Sequence, residues 1–581
     1  MSFGDHNGSR ALRFADPAMR LLKSARTLAL GVAALMLLSP GARAEASAAT
    51  ARVIVKFKAP PPSTDAAAPT ASGDPQARLQ GLARRLGVTV RARVGPTEAT
   101  RLVTASGLDS RQLAAQLSRD SEVEYAVPDE RRHLLAAPND PRYADGQTSA
   151  GPAVGQWYLR APQGEVLASI NVEAAWAAVS GSSRNVVVAV LDTGVRFDHP
   201  DLKRFTDGGS LLNGYDFVTN EFIGNDGSAG RDNDASDPGD WLTAEDLASE
   251  AAQAIGCTLA GGAEVGDSSW HGTQTAGLIG AITQNARGMA GVGGDGRRIR
   301  VLPVRVLGKC GGFDSDVIPA MRWAAGLNVP GVPDNPNPAR VINLSLGGAG
   351  ACSAAYADAI REINRAGVVV VAAAGNTNGG EVNTPANCTG VIGVAGLRHL
   401  GTKVGFSDLG PEIALSAPAG NCVNVGGVCL YPLLTTTNSG TTTPVSADES
   451  YTEDGDNATA GTSFSSPLVA GTAALMLVAK SSLSTDEVRQ VLQKSARTFP
   501  TSGDSNAAGT CPGTDSGGDA DQSCYCTTST CGAGMLDAGA AVALAQTTES
   551  ASESMAGALG WGWLLGLAVA VWAVSRSHRE A

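Results

Sequence analysis

The stretch NVVVAVLDTG, residues 185–194, is an almost continuous apolar run that ends in Asp, Thr and Gly. Four similar runs follow it along the chain: IRVLPVRVL (299–307), ARVINLSLGG (339–348), GVVVVAAAGN (367–376) and VIGVAGL (391–397). Strands that are buried on both faces of a parallel sheet have this pattern. Helical segments such as DVIPAMRWAAGL lie between the runs. The alternation predicts a doubly wound, mostly parallel α/β domain.

Length and charge limit what else the chain contains. Its 581 residues have room for several domains, and its composition, 43% hydrophobic and 17% charged, is that of a globular protein. The formal net charge is −12, and the sequence shows no basic patch. Because nucleic-acid binding needs such a patch, we expect no nucleic-acid partner.

Residues 1–44 have the pattern of a secretory signal peptide. Basic residues precede an apolar run from Leu28 to Leu38, and a small-x-small site follows at Ala42-Arg43-Ala44. The alternative is a membrane anchor, but the apolar run is too short to span a bilayer comfortably. We therefore expect export, with cleavage after Ala44.

The other end predicts a membrane segment. A polar linker, 546–554, leads to 20 residues without a charge, Met555–Val574, and then to the basic tip SRSHRE. The whole tail, 555–581, resembles bacterial sorting tails of the GlyGly-CTERM type, which implies removal by an intramembrane protease. A permanent anchor is the alternative.

Between these ends, residues 45–136 predict a small α+β unit, with strands at ARVIVKFK and VEYAVPDERR and a helix at RQLAAQLSRD. The even number of cysteines in an exported chain favours disulfides, without indicating the pairing. A metal site at Cys524-Tyr525-Cys526 is the alternative. The ten are Cys257, Cys310, Cys352, Cys388, Cys422, Cys429, Cys511, Cys524, Cys526 and Cys531.

Ligands of doubly wound folds bind beyond the carboxyl ends of the strands, where Asp192 ends the first run. Of the six histidines, His271 is the best candidate for a general base, since it begins a small-residue helix at HGTQTAGLIGA. Asn376 could donate its side-chain amide to a developing oxyanion, or could merely occupy a turn. GTSFSSPLVAG (461–471) could supply a nucleophilic hydroxyl or merely cap a helix.

Taken together, VLDTGVRFDHPDL, HGTQTAGLIGA, NLSLGG, VVAAAGN and GTSFSSPLVAG resemble the signature segments of the subtilisin family of serine proteases (peptidase S8). They occur in that family's order of acid, base and nucleophile. The resemblance implies that Ser463 is the nucleophile, His271 the base and Asp192 its orienting acid. It also implies that Asn376, with the Ser463 backbone N–H, binds the oxyanion.

Further expectations follow from the same resemblance. Residues 137–545 would be the catalytic domain of a secreted serine endopeptidase of broad specificity, acting on proteins or peptides. The 45–136 unit would be its propeptide, an intramolecular chaperone and inhibitor removed by self-processing near Ala136–Asn139. The substrate would contact an edge strand and one wall of the first pocket: Ser345, Leu346 and Gly347, and Ala373, Ala374 and Gly375.

A structural calcium ion is a further expectation, although no cofactor is expected for catalysis. Asp201 matches the family's calcium ligand after the DHP segment. An acidic insertion adds Asp232, Asp234, Asp237 and Asp240, whose carboxylates are the oxygen ligands Ca²⁺ prefers. The alternative is a solvated acidic loop, and the spacing is not that of an EF-hand.

Other functions fit the same residues less well. A surface-bound binding protein with a dormant protease fold would explain the linker and tail, but not an intact set of catalytic residues. A processing protease for one exported partner would keep the same chemistry. A lipase is disfavoured because GTSFS lacks the Gly-x-Ser-x-Gly elbow. A sedolisin-type protease is disfavoured because WHGT supplies a histidine that those enzymes lack.

Overall fold

The structure is a computed structural model that divides into two compact units between Leu134 and Leu135. The predicted signal segment (1–44), the tail (555–581), Ala136, Cys422 and Cys429 lie outside the residues it describes. Those residues are 51–58, 75–86, 90–94, 100–105, 110–129, 137–145, 155–228, 230–259, 262–296, 298–420, 431–452, 460–513 and 522–549.

The first unit contains a four-stranded antiparallel sheet with the order β2-β3-β1-β4. Alternate residues of β1 (Val53, Val55 and Phe57) are buried with leucines of the two helices, as the period of two in a half-buried strand requires. The elements are β1 (Ala51–Phe57), α1 (Pro75–Leu86), β2 (Val90–Val94), β3 (Thr100–Ala105), α2 (Ser110–Leu117) and β4 (Val123–Pro128).

The second unit is built on a seven-stranded sheet with the order β11-β10-β9-β8-β5-β7-β6. All of its paired strands run parallel. The predicted doubly wound, parallel α/β domain is therefore confirmed. The strands are β5 (Val186–Asp192), β6 (Tyr215–Asp216), β7 (Ile299–Arg305), β8 (Val341–Leu344), β9 (Val369–Ala373), β10 (Val391–Leu397) and β11 (Ile413–Pro418); β12 (Thr436–Thr437) and β13 (Ser450–Tyr451) form a separate ribbon.

Helices cover both faces of this sheet. The apolar run of strand β5 is explained by burial on both faces of the sheet. Val188 and Val190 enter one core cluster, and Ala189 and Leu191 enter the other. The helices are α3 (Pro141–Asp145), α4 (Val172–Val179), α5 (Glu221–Gly224), α6 (Ala244–Ala248), α7 (Glu250–Ala254), α8 (His271–Gly280), α9 (Asp314–Ala324), α10 (Ala354–Arg365), α11 (Thr462–Ala479), α12 (Thr485–Ser495) and α13 (Ala538–Thr547).

Helix α11 is the central helix of the first core cluster and is almost wholly buried. Gly471 lets it approach Val292 closely, because a Cβ at this glycine would lie 2.7 Å from Cγ1 of that valine. In the described part of the chain, α11 alone has the length and hydropathy to cross a membrane, and 89% of it is buried inside this domain.

Disulfides join the eight cysteines that the structure describes, which confirms the preference for disulfides over a metal site. The pairs are Cys257–Cys310, Cys352–Cys388, Cys511–Cys524 and Cys526–Cys531. Cys524 and Cys526, separated only by Tyr525, thus belong to different bridges. No thiolate remains at that position to hold a metal.

Candidate active site

Three predicted site residues are placed by elements that meet at the carboxyl edge of the parallel sheet. Asp192 is the last residue of β5, His271 is the first residue of α8, and Ser463 lies in the first turn of α11. A Cβ at Gly272 would overlap the carbonyl oxygen of Gly194. The absence of a side chain at Gly272 therefore lets the start of α8 lie directly against the end of β5.

The Asp192 carboxylate is buried, with 1% of its surface exposed, and holds the His271 ring. Its Oδ1 lies 2.8 Å from Nδ1 of His271 and also accepts the Thr193 N–H at 2.8 Å. Its Oδ2 accepts the Thr275 hydroxyl at 3.0 Å. With Nδ1 donating to this carboxylate, Nε2 of the neutral ring is left as the basic nitrogen.

The pKa of His271 lies above its usual value. Burial lowers this pKa, but the charge of Asp192, the hydrogen bond to it and the charge of Asp240 together raise it further than burial lowers it. Asp240 is held nearby by Ser269, whose N–H and hydroxyl donate to its two carboxylate oxygens at 2.6 and 2.7 Å. The site thus favours the protonated form of the histidine.

Ser463 contacts the neighbouring strand end through two hydrogen bonds. Its hydroxyl donates to the carbonyl oxygen of Ser345 at 3.2 Å, and its own carbonyl accepts the Ser345 hydroxyl at 2.6 Å. The next residue, Phe464, packs its ring against His271 with centroids 5.4 Å apart. The structure therefore places the residue after Ser463 against the His271 ring, with the Ser463 hydroxyl bound to Ser345.

Asn376 follows β9 and is oriented by the start of α11. Its Oδ1 accepts both the N–H and the hydroxyl of Thr462, each at 2.9 Å. Because the carbonyl side of the amide is bound to Thr462, the NH₂ group points the other way and is free to donate. Asn376 itself is exposed.

A cavity of about 330 Å³ begins beside Ser463 and Asn376. Its lining includes Leu346, Gly347, Ala373, Gly375 and Asn383. A second cavity of about 610 Å³ continues along His271 and the Ser345–Gly347 segment. Of the six residues expected to contact substrate, Ala374 faces elsewhere, because its side chain lies in the hydrophobic core.

Comparison with known proteins agrees with this geometry. The profile of the Subtilase family (Peptidase_S8) matches residues 183–534, which include Asp192, His271, Asn376 and Ser463. The chain belongs to the subtilase family. The predicted resemblance to subtilisin-like proteases is thereby confirmed at the level of the family.

This subtilase is 37% identical over 440 residues to the extracellular protease of Xanthomonas campestris pv. campestris, covering 75% of this chain and 62% of the relative. It is 35% identical over 393 residues to the extracellular basic protease of Dichelobacter nodosus, covering 66% of this chain and 56% of that relative. A solved protease structure from Pseudoalteromonas arctica PAMC 21717 is 38% identical, with a TM-score of 0.55, and covers 71% of this chain and 100% of that one. The chain thus spans about three fifths of the length of these two curated relatives.

The acidic insertion of this subtilase does not gather its carboxylates. Within the described ranges, the only three Cys, His, Asp or Glu ligand atoms lying within 4.8 Å of one another belong to the disulfide-bonded Cys511, Cys526 and Cys531. Asp232 and Asp234 instead accept backbone N–H groups within their own turns. Asp237 is buried behind the active site and accepts the Thr193 hydroxyl at 2.6 Å.

Asp201 is also buried, and its carboxylate is already bound by donors. Oδ1 accepts the Asn285 side-chain amide at 2.7 Å, while Oδ2 accepts the Met289 N–H at 2.9 Å and the Tyr451 hydroxyl at 3.3 Å. Among the described residues, Asp201 belongs to no group of three Asp, Glu, His or Cys ligand atoms within 4.8 Å of one another. The described residues thus show no cluster of charged ligands for a calcium ion at Asp201, and no step of the reaction proposed below uses one.

Two positioning residues were missed by sequence reasoning. Thr275 binds the Asp192 carboxylate, and Thr193 donates its N–H to that carboxylate while accepting the Gly272 N–H on its hydroxyl at 3.0 Å. For Thr275 a signal existed, because it lies four residues after His271 and so on the same face of α8. Thr193 follows Asp192 directly, and its role depends on the contact between β5 and α8.

Proposed function

We propose that this subtilase is a secreted serine endopeptidase, with Asp192, His271 and Ser463 as its catalytic triad. The observation that carries the proposal is the hydrogen bond between the buried Asp192 carboxylate and His271, whose ring packs against Phe464, the residue that follows Ser463. A partly buried imidazole backed by a buried carboxylate is the base that a serine nucleophile requires.

In the proposed reaction the Ser463 hydroxyl leaves the Ser345 carbonyl and donates to Nε2 of His271. As Oγ bonds to the substrate carbonyl carbon, its proton passes to Nε2, and the imidazolium is stabilised by Asp192. The C–N bond then breaks and His271 gives the proton to the leaving amine, which leaves an ester on Ser463. Water, deprotonated by His271, attacks this ester, and Oγ recovers the proton as the new carboxyl end departs.

The negative charge of both tetrahedral intermediates forms on the former carbonyl oxygen. The NH₂ group of Asn376 and the backbone N–H of Ser463 are its proposed donors, since Thr462 already binds the other side of the Asn376 amide. Ser463 also lies in the first turn of α11, where the positive end of the helix dipole favours an anion.

Substrate binding along Ser345, Leu346 and Gly347 would pair main chain with main chain. Such pairing is tolerant of sequence, which supports a broad specificity. The first cavity, walled by Ala373 and Gly375, would then receive the side chain of the residue whose carbonyl is attacked.

We further propose that the unit within residues 45–136 is an inhibitory propeptide that the enzyme removes from itself. The division of the chain into two compact units near Leu134 supports this proposal. Export by residues 1–44 is supported by the extracellular relatives from Xanthomonas and Dichelobacter. We propose separately that the tail at 555–581 either anchors the protein in the membrane or is removed by an intramembrane protease.

The test is the intact mass of the exported protein, for the wild type and for Ser463→Ala. We expect the wild type to lose the residues before about Ala136–Asn139 and Ser463→Ala to keep them. The control is Ser465→Ala, because the Ser465 hydroxyl is buried on the carbonyls of Ala417 and Pro418. Retention of the leading unit by all three proteins, together with no peptidase activity, would support a dormant binding protein instead.

A further inference from the structure

The floor of the first cavity is polar. Gly347 and Gly375 form its two walls, and the Asn383 side chain lies between them. A Cβ at Gly347 would come within 3.2 Å of Cβ of Asn383, and one at Gly375, where φ is +118°, would meet the Asn383 amide. A side chain at Gly375 would therefore clash with Asn383, and one at Gly347 would crowd it.

Behind Gly375 lies a carboxylate with a missing partner. Asp408 is fully buried, and its Oδ1 accepts the N–H and hydroxyl of Thr377 at 2.8 and 2.7 Å and the Gly380 N–H at 3.0 Å. Its Oδ2 has no hydrogen-bond partner among the described residues. A Cβ at Gly375 would overlap this oxygen, so the oxygen lies directly behind the glycine wall.

An unpartnered carboxylate oxygen is costly to bury, and such a group in a native structure needs an explanation. Burial raises the pKa of Asp408 above its usual value, although hydrogen bonds from Thr377 and Gly380 and the positive charge of Lys403 oppose this shift. The fixed donors all lie on Oδ1. The oxygen without a donor is Oδ2, the one that lies behind Gly375.

The neighbouring cavity, like Asp408, carries negative charge. Its lining includes the carboxylates of Asp240 and Asp314, and the lining of the two cavities, as far as the structure describes it, includes no lysine or arginine. A cationic side chain that enters the first cavity would therefore meet negative potential from the floor and from the adjoining cleft.

We propose that Asp408 makes this enzyme favour lysine or arginine at the residue whose carbonyl Ser463 attacks. The cation would compensate the buried carboxylate across the wall that Gly375 leaves without a side chain, and Asn383 would face it at the floor. The proposal rests on the proposed function, and it gives a preference within a broad specificity.

The test compares two peptide substrates that differ only in the residue before a fluorogenic leaving group, lysine in one and norleucine in the other. Norleucine has the straight chain of lysine without the ammonium group. We expect kcat/KM of the mature enzyme to favour lysine at least about 10-fold, because an ion pair shielded from water is much stronger than an exposed one. Asp408→Asn should bring the ratio close to 1, since it removes the charge but keeps an acceptor for Thr377.

Two further variants keep the test decisive if Asp408→Asn folds poorly. Asn383→Asp adds a second carboxyl group at the floor, close to Asp408, and should raise the lysine preference. Asp358→Asn removes an equal charge from the exposed surface of α10 and should leave the ratio at the wild-type value.

Equal or better hydrolysis of the norleucine peptide by the wild type would overturn the proposal, as would a ratio that Asp408→Asn and Asn383→Asp leave unchanged. If the mature wild type hydrolysed neither peptide and failed to react with a fluorophosphonate, the proposed function itself would be wrong. That result is distinguishable, since a merely unselective enzyme would hydrolyse both peptides.

Discussion

Nδ1 of His271 lies 2.8 Å from Oδ1 of Asp192, and the Asp192 carboxylate is held by Thr193 and Thr275 on its other sides. Asp192→Asn keeps the shape but offers an NH₂ group or an uncharged oxygen to the ring. We expect kcat to fall about 10⁴-fold, because the imidazole loses its tautomer and its charge partner. Peptide hydrolysis at pH 8 measures this. A loss below 10-fold would show that Asp192 does not orient the base.

The acid limb of the pH profile should depend on Asp240. This carboxylate raises the pKa of His271, so removing its charge lowers that pKa and leaves the base unprotonated at lower pH. We expect Asp240→Asn to shift the acid limb of kcat/KM to lower pH, by a smaller amount at high salt.

The matched control is Asp267→Asn, which removes an exposed carboxylate shortly before His271 in the chain. It should leave the acid limb where the wild type has it. A shift of the limb to higher pH in Asp240→Asn would contradict the assignment of His271 as the titrating base.

Asn376 should act on the transition state more than on substrate binding. Asn376→Ala removes the proposed oxyanion donor, and we expect kcat to fall about 10²–10³-fold with KM little changed, the usual effect of losing one such donor. Asn376→Asp, which keeps an acceptor for the Thr462 N–H but has no NH₂ group, should be similarly impaired. A rise in KM with kcat intact would assign Asn376 to substrate binding instead.

His399 should make the catalytic unit sensitive to acid. It is buried and stacked on Tyr431 with ring centroids 3.7 Å apart. Burial, assisted by the charge of Arg398, lowers its pKa to about 4. Because the unfolded chain takes up this proton near pH 6.5, the free energy of unfolding falls as pH drops from about 6.5 to about 4.

His399→Phe keeps an aromatic ring against Tyr431 but removes the imidazole that takes up the proton. We expect the variant to retain more of its neutral-pH stability at pH 5 than the parent does, by on the order of 1–2 kcal/mol. Melting temperatures at pH 7.5 and pH 5.0 measure this, in a Ser463→Ala background that prevents self-digestion. An identical loss of stability in the two proteins would show that His399 does not control it.

The apolar runs were sufficient to predict the parallel sheet, because a strand buried on both faces is apolar along most of its length. They also placed Asp192 at a carboxyl end, and the small-residue helix after His271 placed the base. The sequence pattern could not predict contacts between segments that are distant in the chain. Asp237 was expected to bind a cation, but folding places it against Thr193, 44 residues earlier in the chain.

Asp408 had no signal in the sequence for a related reason. It lies 32 residues after Asn376, and its backbone N–H donates to the Gly375 carbonyl at 3.0 Å only once the turn after β9 has formed. Disulfide pairing depended in the same way on tertiary structure, since Cys524 and Cys526 bond to cysteines on opposite sides of them in sequence.

The measurement that tests the central claim most directly is mass spectrometry of the mature protein after reaction with a fluorophosphonate. The account predicts one phosphonyl adduct, located on the peptide that contains Ser463. It also predicts no adduct in Ser463→Ala and strongly slowed labelling in His271→Ala. An unlabelled wild-type protein, or an adduct on another serine, would contradict the assignment of Ser463 as the nucleophile.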